Sequence, residues 1–211
     1  DSGQPGAMEL LARLVREYPA AAGAQEAWLR LGDDRFDAGD HAGSVPHYEN
    51  AAGGNDPSLA AIALYKLGWA RFADDGFAES GVAFSRLLDL LGDGAGAATR
   101  DGQAAPRASG PANLREEARD HMVQALLRAG GARAFADHVE RVGARPWDER
   151  TLAAMADQAA RYSLDDDAVA CDELWLRRYP ESPGALAAAE RLVGALERGG
   201  KGEAARKARL E

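Results

Sequence analysis

The side chains of this sequence that could carry out chemistry include four histidines, one cysteine and several groups of aspartates. His41 and His47 lie six residues apart, and neither they nor His121 and His138 have a second His or Cys at the spacing of metal ligands on a helix. Surface or inter-helix roles are therefore favoured over a metal site, and we expect no bound metal.

The cysteine and the aspartates are also poor candidates for catalysis or ion binding. Cys171 is followed by Asp172 and Glu173, and acidic neighbours raise the pKa of a thiol, so a packed cysteine is favoured over a nucleophile. The run from Asp165 to Asp167 is predicted to begin a helix, where carboxylates complement the helix dipole. It lacks the interleaved oxygens, the Gly and the distant Glu of a calcium loop.

Catalytic motifs are missing from the sequence. It has no Ser-His-Asp order, no Gly-x-Ser-x-Gly turn and no Walker loop. The stretch GDGAG at 92–96 resembles a phosphate loop only in its glycines, since no strand precedes it and no Lys-Ser or Lys-Thr follows. We therefore predict a protein that is not an enzyme and that needs no cofactor.

Composition narrows the choice of partners. The chain has 211 residues, a formal net charge of −9 and a pI near 5.0, whereas binding to phosphate backbones usually requires a basic face. Long apolar runs such as LAAIALYKLGWA are interrupted by Lys66 and Gly68 and fall short of the roughly 20 residues that cross a bilayer. We expect no nucleic-acid partner and no direct membrane insertion, which leaves proteins or peptides as partners.

Apolar residues recur three and four positions apart along most of the chain, which predicts helices and almost no sheet. Short breakers such as AGDHAG and GGNDPS separate segments of helical length, as expected of paired antiparallel helices. Asp56 before Pro57 and Ser182 before Pro183 are each predicted to cap a helix. The Gly-, Ala- and Pro-rich segment 92–112 is predicted to link N-terminal hairpins at 1–91 to C-terminal hairpins at 113–211.

An internal repeat supports this architecture. The phrase WLRLGDDRF at 28–36 returns as LYKLGWARF at 64–72, a shift of 36 residues. Large residues three and four apart, a small Gly and a later aromatic recur without a gap in the two copies. The matched positions are Trp28, Leu31, Gly32, Ser44, Tyr48 and Ala51 in the first copy and Leu64, Leu67, Gly68, Ser80, Phe84 and Leu87 in the second.

These residues resemble the tetratricopeptide repeat family, whose pattern of Trp, Leu-Gly, Ala, aromatic, Ala and closing Pro has the same spacing. A further copy has Asp172 where an aromatic is usual; its positions are Leu152, Met155, Ala156, Ala168, Trp175 and Pro180. Residues 113–145 fit as a divergent hairpin, with packed positions at Met122, Leu126, Phe135, Val139 and Val142. The resemblance implies an all-α, TPR-like α-solenoid of antiparallel helical hairpins.

Two departures from the family and one subset of it bear on the expected role. Arg35 and Arg71 occupy positions where the family usually has Tyr, so Phe36 and Phe72 beside them are the candidates for that aromatic role. The phrases REYP and RRYPESPGALAA resemble repeats of bacterial envelope proteins of the BamD-like and gliding-motility types. This similarity implies a periplasmic or outer-membrane-associated location, with the cytoplasm as the alternative.

The resemblance also implies which residues would face a partner. In the family, the first helix of each hairpin lines a concave groove. The corresponding partner-binding candidates are Leu29, Asp33, Phe36, Asp37, Tyr65, Trp69 and Phe72. The equivalent positions of the later copy, among them Asp157 and Ala160, are small or charged and would form a poorer apolar pocket.

The role of the aromatic stripe Tyr65, Trp69 and Phe72 has two interpretations. These side chains would either anchor a partner segment or be covered by the linker or the next hairpin. For the whole chain we expect a non-enzymatic protein-protein interaction scaffold of a bacterial envelope assembly. The alternative is a ligand- or peptide-sensing regulatory module of a larger enzyme or signalling protein.

Overall fold

The computed structural model describes residues 5–21, 23–92 and 111–208, and all regular secondary structure in these ranges is helical. The predicted all-α fold of helical hairpins is confirmed. The helices are α1 (Pro5–Glu17), α2 (Ala24–Asp37), α3 (His41–Ala52), α4 (Pro57–Ala73), α5 (Phe77–Leu91), α6 (Pro111–Val142), α7 (Asp148–Arg161), α8 (Asp165–Arg178), α9 (Ala185–Arg198) and α10 (Gly202–Ala208).

The chain forms two compact units, Asp1–Ala118 and Arg119–Glu211. Residues 93–110 of the expected linker lie outside the part of the chain that the structure describes, as does nearly all of the GDGAG stretch. Helix α6 already begins at Pro111, two residues before the expected start of the C-terminal hairpins at 113.

In the first unit, each of the helices α1 to α5 packs on the next one along the chain, and α2 also contacts α4. The helices begin where the sequence supplies caps. Asp56 accepts hydrogen bonds from the backbone N–H groups of Ser58 at 2.8 Å and Leu59 at 3.2 Å, and Pro57 occupies the first turn. Asp40 caps α3 in the same way through the N–H of Gly43 at 2.9 Å.

The predicted cap at Ser182 is wrong, because α9 begins only at Ala185. The Ser182 hydroxyl instead accepts a hydrogen bond from the backbone N–H of Gly184 at 3.1 Å and donates one to the Glu149 carboxylate. Pro183 therefore lies in the turn before the helix and not in its first turn.

Each hairpin of the repeat is closed by an aromatic ring packed on a glycine. A Cβ atom added to Gly32 would lie 2.5 Å from Tyr48 Cε1, and one added to Gly68 would lie 2.5 Å from Phe84 Cζ. Both rings are buried. The Ser80 hydroxyl donates a hydrogen bond of 2.8 Å to the carbonyl of Gly68, which fixes α5 against α4 at the same point. The repeated glycine thus allows close helix approach.

The connection between the two hairpins of this unit is held by one amide side chain. Gln25 Nε2 donates to the carbonyls of Ala51 at 2.9 Å and Asp56 at 3.0 Å, and its Oε1 accepts from the Asp56 N–H at 3.0 Å. Gly54 lies against this side chain, since an added Cβ would come within 2.1 Å of Gln25 Cδ. One side chain of α2 therefore satisfies three backbone groups at the end of α3 and the start of α4.

In the second unit, α7 packs on α8, α8 on α9 and α9 on α10. Helix α6 is broken at Gly130 and Gly131, whose φ values of +126° and +62° are rarely adopted by other residues. The break gives the turn that a divergent hairpin needs. Four of its predicted packed positions, Met122, Leu126, Phe135 and Val139, are buried, and Val142 is half-buried.

Among the described helices, none combines the length and the apolar character needed to cross a membrane.

The glycine contacts predict opposite effects for two Gly→Ala substitutions. We expect Gly68→Ala to destabilise the protein by roughly 1–3 kcal/mol, because the new methyl group collides with the buried Phe84 ring. Gly194→Ala inside α9 is the matched control and should stabilise by about 0.5–1 kcal/mol, since an added Cβ there meets only the end of the Arg198 side chain. Urea unfolding followed by circular dichroism measures both changes, and equal effects would contradict this account of the repeat.

Candidate functional site

The seven predicted partner-binding residues lie on α2 and α4, which contact each other. On α2, Leu29 is buried, with 8% of its surface exposed, and therefore offers little area to a partner. Phe36 is half-buried and contacts His41 in a tilted arrangement, with 4.7 Å between the ring centroids. Asp37 is exposed. The α2 candidates thus differ widely in what they present to solvent.

Asp33 joins three helices. Its Oδ1 accepts hydrogen bonds from the Tyr48 hydroxyl of α3 at 2.8 Å and from Lys66 Nζ of α4 at 2.7 Å. Burial and the hydrogen bond to Asp33 hold the pKa of Tyr48 well above its usual range. Asp33 therefore has a structural role, since it holds α2 against α3 and α4. The sequence did not identify its partner Lys66.

The aromatic side chains of α4 form one cluster with those of α5. Tyr65 and Trp69 lie edge-on to Phe84, with ring centroids 6.1 Å and 6.4 Å from it, respectively. Trp69 contacts Phe72 at 5.7 Å, and Phe72 contacts Phe77 at 5.1 Å. Such edge-to-face pairs add to the stability that burial provides. The cluster defined by these five rings, the α4–α5 aromatic cluster, therefore also closes the second hairpin.

The outer members of this cluster remain half-buried. Tyr65, Trp69 and Phe72 keep part of their surface exposed, and one turn before Tyr65 the side chain of Ile62 is 42% exposed. Ile62, Tyr65, Trp69 and Phe72 follow one stripe along α4, which we call the α4 stripe. Its inner edge packs on Phe84, and its outer edge begins at Ile62.

The two arginines that replace the usual Tyr of the family both form ion pairs. Arg71 bonds the Glu49 carboxylate of α3 and donates to the Glu79 carbonyl of α5 at 3.2 Å. Arg35 pairs with Asp40 at 3.2 Å. Arg71 thus links three helices through charge and hydrogen bonds at a position where the family uses a ring.

The second unit contains a buried charge where the first unit has rings. Asp172 is fully buried, and its Oδ1 accepts a hydrogen bond from Arg191 Nη2 of α9 at 2.7 Å. Arg191 Nε lies 3.4 Å from Asp157 Oδ1 of α7, and the guanidinium stands 5.1 Å from the Trp175 ring centre. Burial raises the pKa of Asp172 to about 6, although Arg191 acts in the opposite direction.

A cavity of about 400 Å³ adjoins this pair, in the space between α7, α8 and α9. Half of its lining residues are small, namely Ala160, Ala168, Ala187 and Gly194. The other half are charged, namely Asp172, Glu190, Arg191 and Arg198. Sequence reasoning identified Asp172 as a departure from the repeat, but it identified neither Arg191 nor the cavity.

The cysteine and the aspartates at the start of α8 are occupied by packing or by ion pairs. Cys171 is buried, and burial together with Asp167 and Asp172 raises its pKa to about 12, as expected of a packed thiol. Asp165 and Asp166 pair with Arg198 at 3.1 Å and Lys201 at 2.6 Å. Within the described ranges, no group of three or more His, Cys, Asp or Glu side chains is arranged to hold a metal ion.

No protein-family model matches the chain, and no curated protein matches it. A solved structure that matches is the crystal structure of BtubC (BKLC) from P. vanneervenii, at 15% sequence identity and a TM-score of 0.39. The match covers 96% of this chain and 87% of that chain.

The two aspartates among the predicted partner-binding residues should differ in their effect on stability. Asp33→Ala is expected to lower the free energy of unfolding by roughly 1–3 kcal/mol, because it removes the acceptor of Tyr48 and Lys66. Asp37→Ala, at an exposed position four residues on, should change it by less than about 0.5 kcal/mol. Urea titration of both variants tests the assignment, and equal losses would refute it.

The burial of Asp172 predicts a pH dependence. Because its pKa is raised to about 6 from an ordinary 3.8, its protonated form favours the folded state. The stability due to this group is full below pH 4, falls between about pH 4 and 6, and stays low above that range. Asp172→Asn should therefore lose less stability than the native chain when thermal unfolding is compared at pH 4.5 and pH 7. An identical pH slope in the two proteins would contradict the prediction.

Proposed function

We propose that this protein is a non-enzymatic protein-protein interaction scaffold that binds a partner protein or peptide along α2 and α4. The observation that carries the proposal is the α4 stripe, in which exposed Ile62 leads to half-buried Tyr65, Trp69 and Phe72. Helix α2, which contacts α4, carries the exposed acidic residue Asp37. An apolar strip with an exposed acidic residue on the neighbouring helix suits a partner segment with apolar anchors and a basic flank.

The aromatic side chains of the stripe are suited to act as anchors. Trp and Tyr dominate the binding energy of many interfaces because they bury a large area in few rotatable bonds. In this stripe the rings already pack on Phe84, so a partner would pay little entropy to order them further. Pre-ordered rings and an exposed aliphatic neighbour together support a specific binding surface over a non-specific hydrophobic patch.

We further propose that the chain is a tetratricopeptide repeat protein of the bacterial envelope type, periplasmic or outer-membrane associated. Its support is the repeated spacing of 36 residues and the glycine-on-aromatic packing of both N-terminal hairpins. The envelope setting is supported by sequence resemblance alone. The absence of catalytic motifs from the sequence supports a role without catalysis.

One observation favours the alternative of a ligand- or peptide-sensing module. The cavity of about 400 Å³ beside Asp172 has the size of a small-molecule site and a charged lining. It lies in the second unit, away in sequence from the α4 stripe, so both roles are compatible with one chain.

The scaffold proposal is tested by capture of partners with matched surface variants. Ile62→Glu places a charge at the exposed end of the α4 stripe, and Leu90→Glu does so on α5 at nearly the same exposure, 42% and 43% respectively. Tagged native, Ile62→Glu and Leu90→Glu proteins are used to capture partners from the source organism, with quantitative mass spectrometry as the measurement. We expect at least one partner to fall by about tenfold with Ile62→Glu and to remain with Leu90→Glu.

Circular dichroism of the three proteins provides the folding control. Ile62 is the better first probe than Trp69→Ala or Tyr65→Ala, because those rings also pack on Phe84 and their loss affects the hairpin itself. Equal recovery of every partner by all three folded proteins would refute binding at the stripe. Loss of the same partners with Leu90→Glu would assign the effect to a general surface change.

A further inference from the structure

Helices α2 and α4 run parallel, so that their C-terminal ends lie at the same end of the α4 stripe. Contacts at two levels along the helices show this direction. Near the start of both helices, Gln25 of α2 bonds the backbone of Asp56, the residue that caps α4. Further along both helices, Asp33 of α2 pairs with Lys66 of α4 at 2.7 Å. Both helices therefore end on the side where the stripe reaches Phe72.

Three exposed aspartates lie at these two helix ends. Asp37 is the last residue of α2 and follows Asp33 by one turn on the same face of the helix. Asp74 and Asp75 form the turn that follows α4. Among the described side chains, no cation forms an ion pair with any of the three. We call Asp37, Asp74 and Asp75 the acidic end of the stripe.

The cations near the acidic end already have carboxylate partners. Arg35, in the last turn of α2, pairs with Asp40 at 3.2 Å, and Arg71, in the last turn of α4, bonds Glu49. The three aspartates together with Asp40 and Glu49 make five carboxylates against two guanidinium groups. The C-terminal ends of two helices add further negative partial charge. A positively charged group would therefore be attracted to this end.

Aromatic rings adjoin the acidic end. Phe72 and Phe77 lie on either side of the turn formed by Asp74 and Asp75, and their ring centroids are 5.1 Å apart. Both rings are half-buried, so part of each remains open to solvent. The aliphatic stem of a lysine or arginine can lie over such a surface while its charged end reaches a carboxylate or the face of a ring.

The opposite end of the stripe is apolar. Ile62 is 42% exposed, and residues 57–63 of α4 include no charged side chain. In the first half of α2, Glu26 and Arg30 pair with each other at 2.7 Å, so their charges cancel. The stripe thus changes along its length from an uncharged aliphatic end to an aromatic end with surplus negative charge.

We propose that a partner segment binds the stripe with a fixed polarity. Its aliphatic residues cover Ile62 and Tyr65, and a lysine or arginine lies over Phe72 with its charge against the acidic end. This inference rests on the proposed function of the stripe, and it adds the chemistry and the direction of the bound segment.

The probes are three peptides that share an aliphatic half. Ac-Ile-Ala-Leu-Ala-Ala-Lys-Arg-NH2 carries the proposed charges, a second peptide has two glutamines in place of Lys-Arg, and a third has two glutamates. Each is titrated into the full, isotope-labelled chain, and backbone amide shifts are followed by NMR. We expect the basic peptide to bind about tenfold more tightly than the glutamine peptide, since each of two exposed ion pairs contributes about threefold. The glutamate peptide should bind most weakly.

A nitroxide label on the basic peptide reports its direction. When the label is at the Lys-Arg end, it should broaden the amide signals of Asp37 and Asp75 most strongly. When the label is at the Ile end, it should broaden the signal of Ile62 instead. The same broadening from both labels would refute a fixed polarity.

A triple variant and a matched control locate the charge preference. Asp37→Asn, Asp74→Asn and Asp75→Asn together should reduce the tenfold preference to less than about twofold. Asparagine tolerates the φ of +58° at position 75 as aspartate does, so the turn is retained. The control removes the same charge by Glu→Gln at three exposed positions of the second unit, namely Glu140, Glu173 and Glu181. It should keep the preference, and equal losses in the two variants would overturn the inference.

The remaining outcomes separate this inference from the scaffold proposal. Equal affinity of the basic and glutamine peptides overturns the charge preference but leaves the capture result for Ile62→Glu standing, because an apolar stripe can bind without selecting a charge. A lack of amide shifts at millimolar peptide overturns the inference. So does a dimer of the chain that the triple variant dissociates, because that result would assign this face to a second copy.

Discussion

The close approach of a ring to a glycine is the contact on which each N-terminal hairpin depends. Tyr48 on Gly32 and Phe84 on Gly68 bring the two helices of a hairpin together, and the other contacts of the unit follow from that spacing. Asp33 can reach both Tyr48 and Lys66 only because three helices meet there. The α4 stripe likewise owes its placement to Phe84, on which Tyr65 and Trp69 rest. The packing of the second hairpin and the candidate recognition surface therefore depend on the same aromatic rings.

In the second unit, charged side chains occupy the position that an aromatic ring fills in the first unit. Asp172 occupies the ring position, and the space left over is divided between Arg191 and a cavity. A buried ion pair of this kind usually contributes less stability than well-packed apolar side chains of similar volume, because both charges lose their hydration. An ion pair at this position is therefore expected to stabilise the unit less than a ring would, and it leaves a polar recess beside the helices.

Much of the fold could be predicted because its signals are local and periodic. The helical spacing, the caps at Asp56 and the repeated glycines each act within one or two turns of chain. The partners of Asp33 and Asp172 could not be predicted, since Lys66 and Arg191 lie 33 and 19 residues away and are brought near only by packing. The aromatic stripe Tyr65, Trp69 and Phe72 could be predicted from its spacing, whereas the division of the α4 stripe into a packed and an exposed edge required the structure. Ser182 illustrates the same limit, because its hydroxyl donates to the carboxylate of Glu149, which lies 33 residues away in the sequence, and accepts from the nearby N–H of Gly184.

The clamp formed by Gln25 has a consequence for motion. Neighbouring hairpins of a repeat protein often flex about the loop that joins them, since few contacts cross it. Here the amide of Gln25 binds one carbonyl near the end of α3, that of Ala51, and both backbone groups of Asp56, the residue before α4, so the loop has little freedom to act as a hinge. Helices α2 to α4 should then behave as one rigid body during binding. A partner would therefore bind to a preformed surface. Local motion of the loop between α3 and α4 would not speed its dissociation.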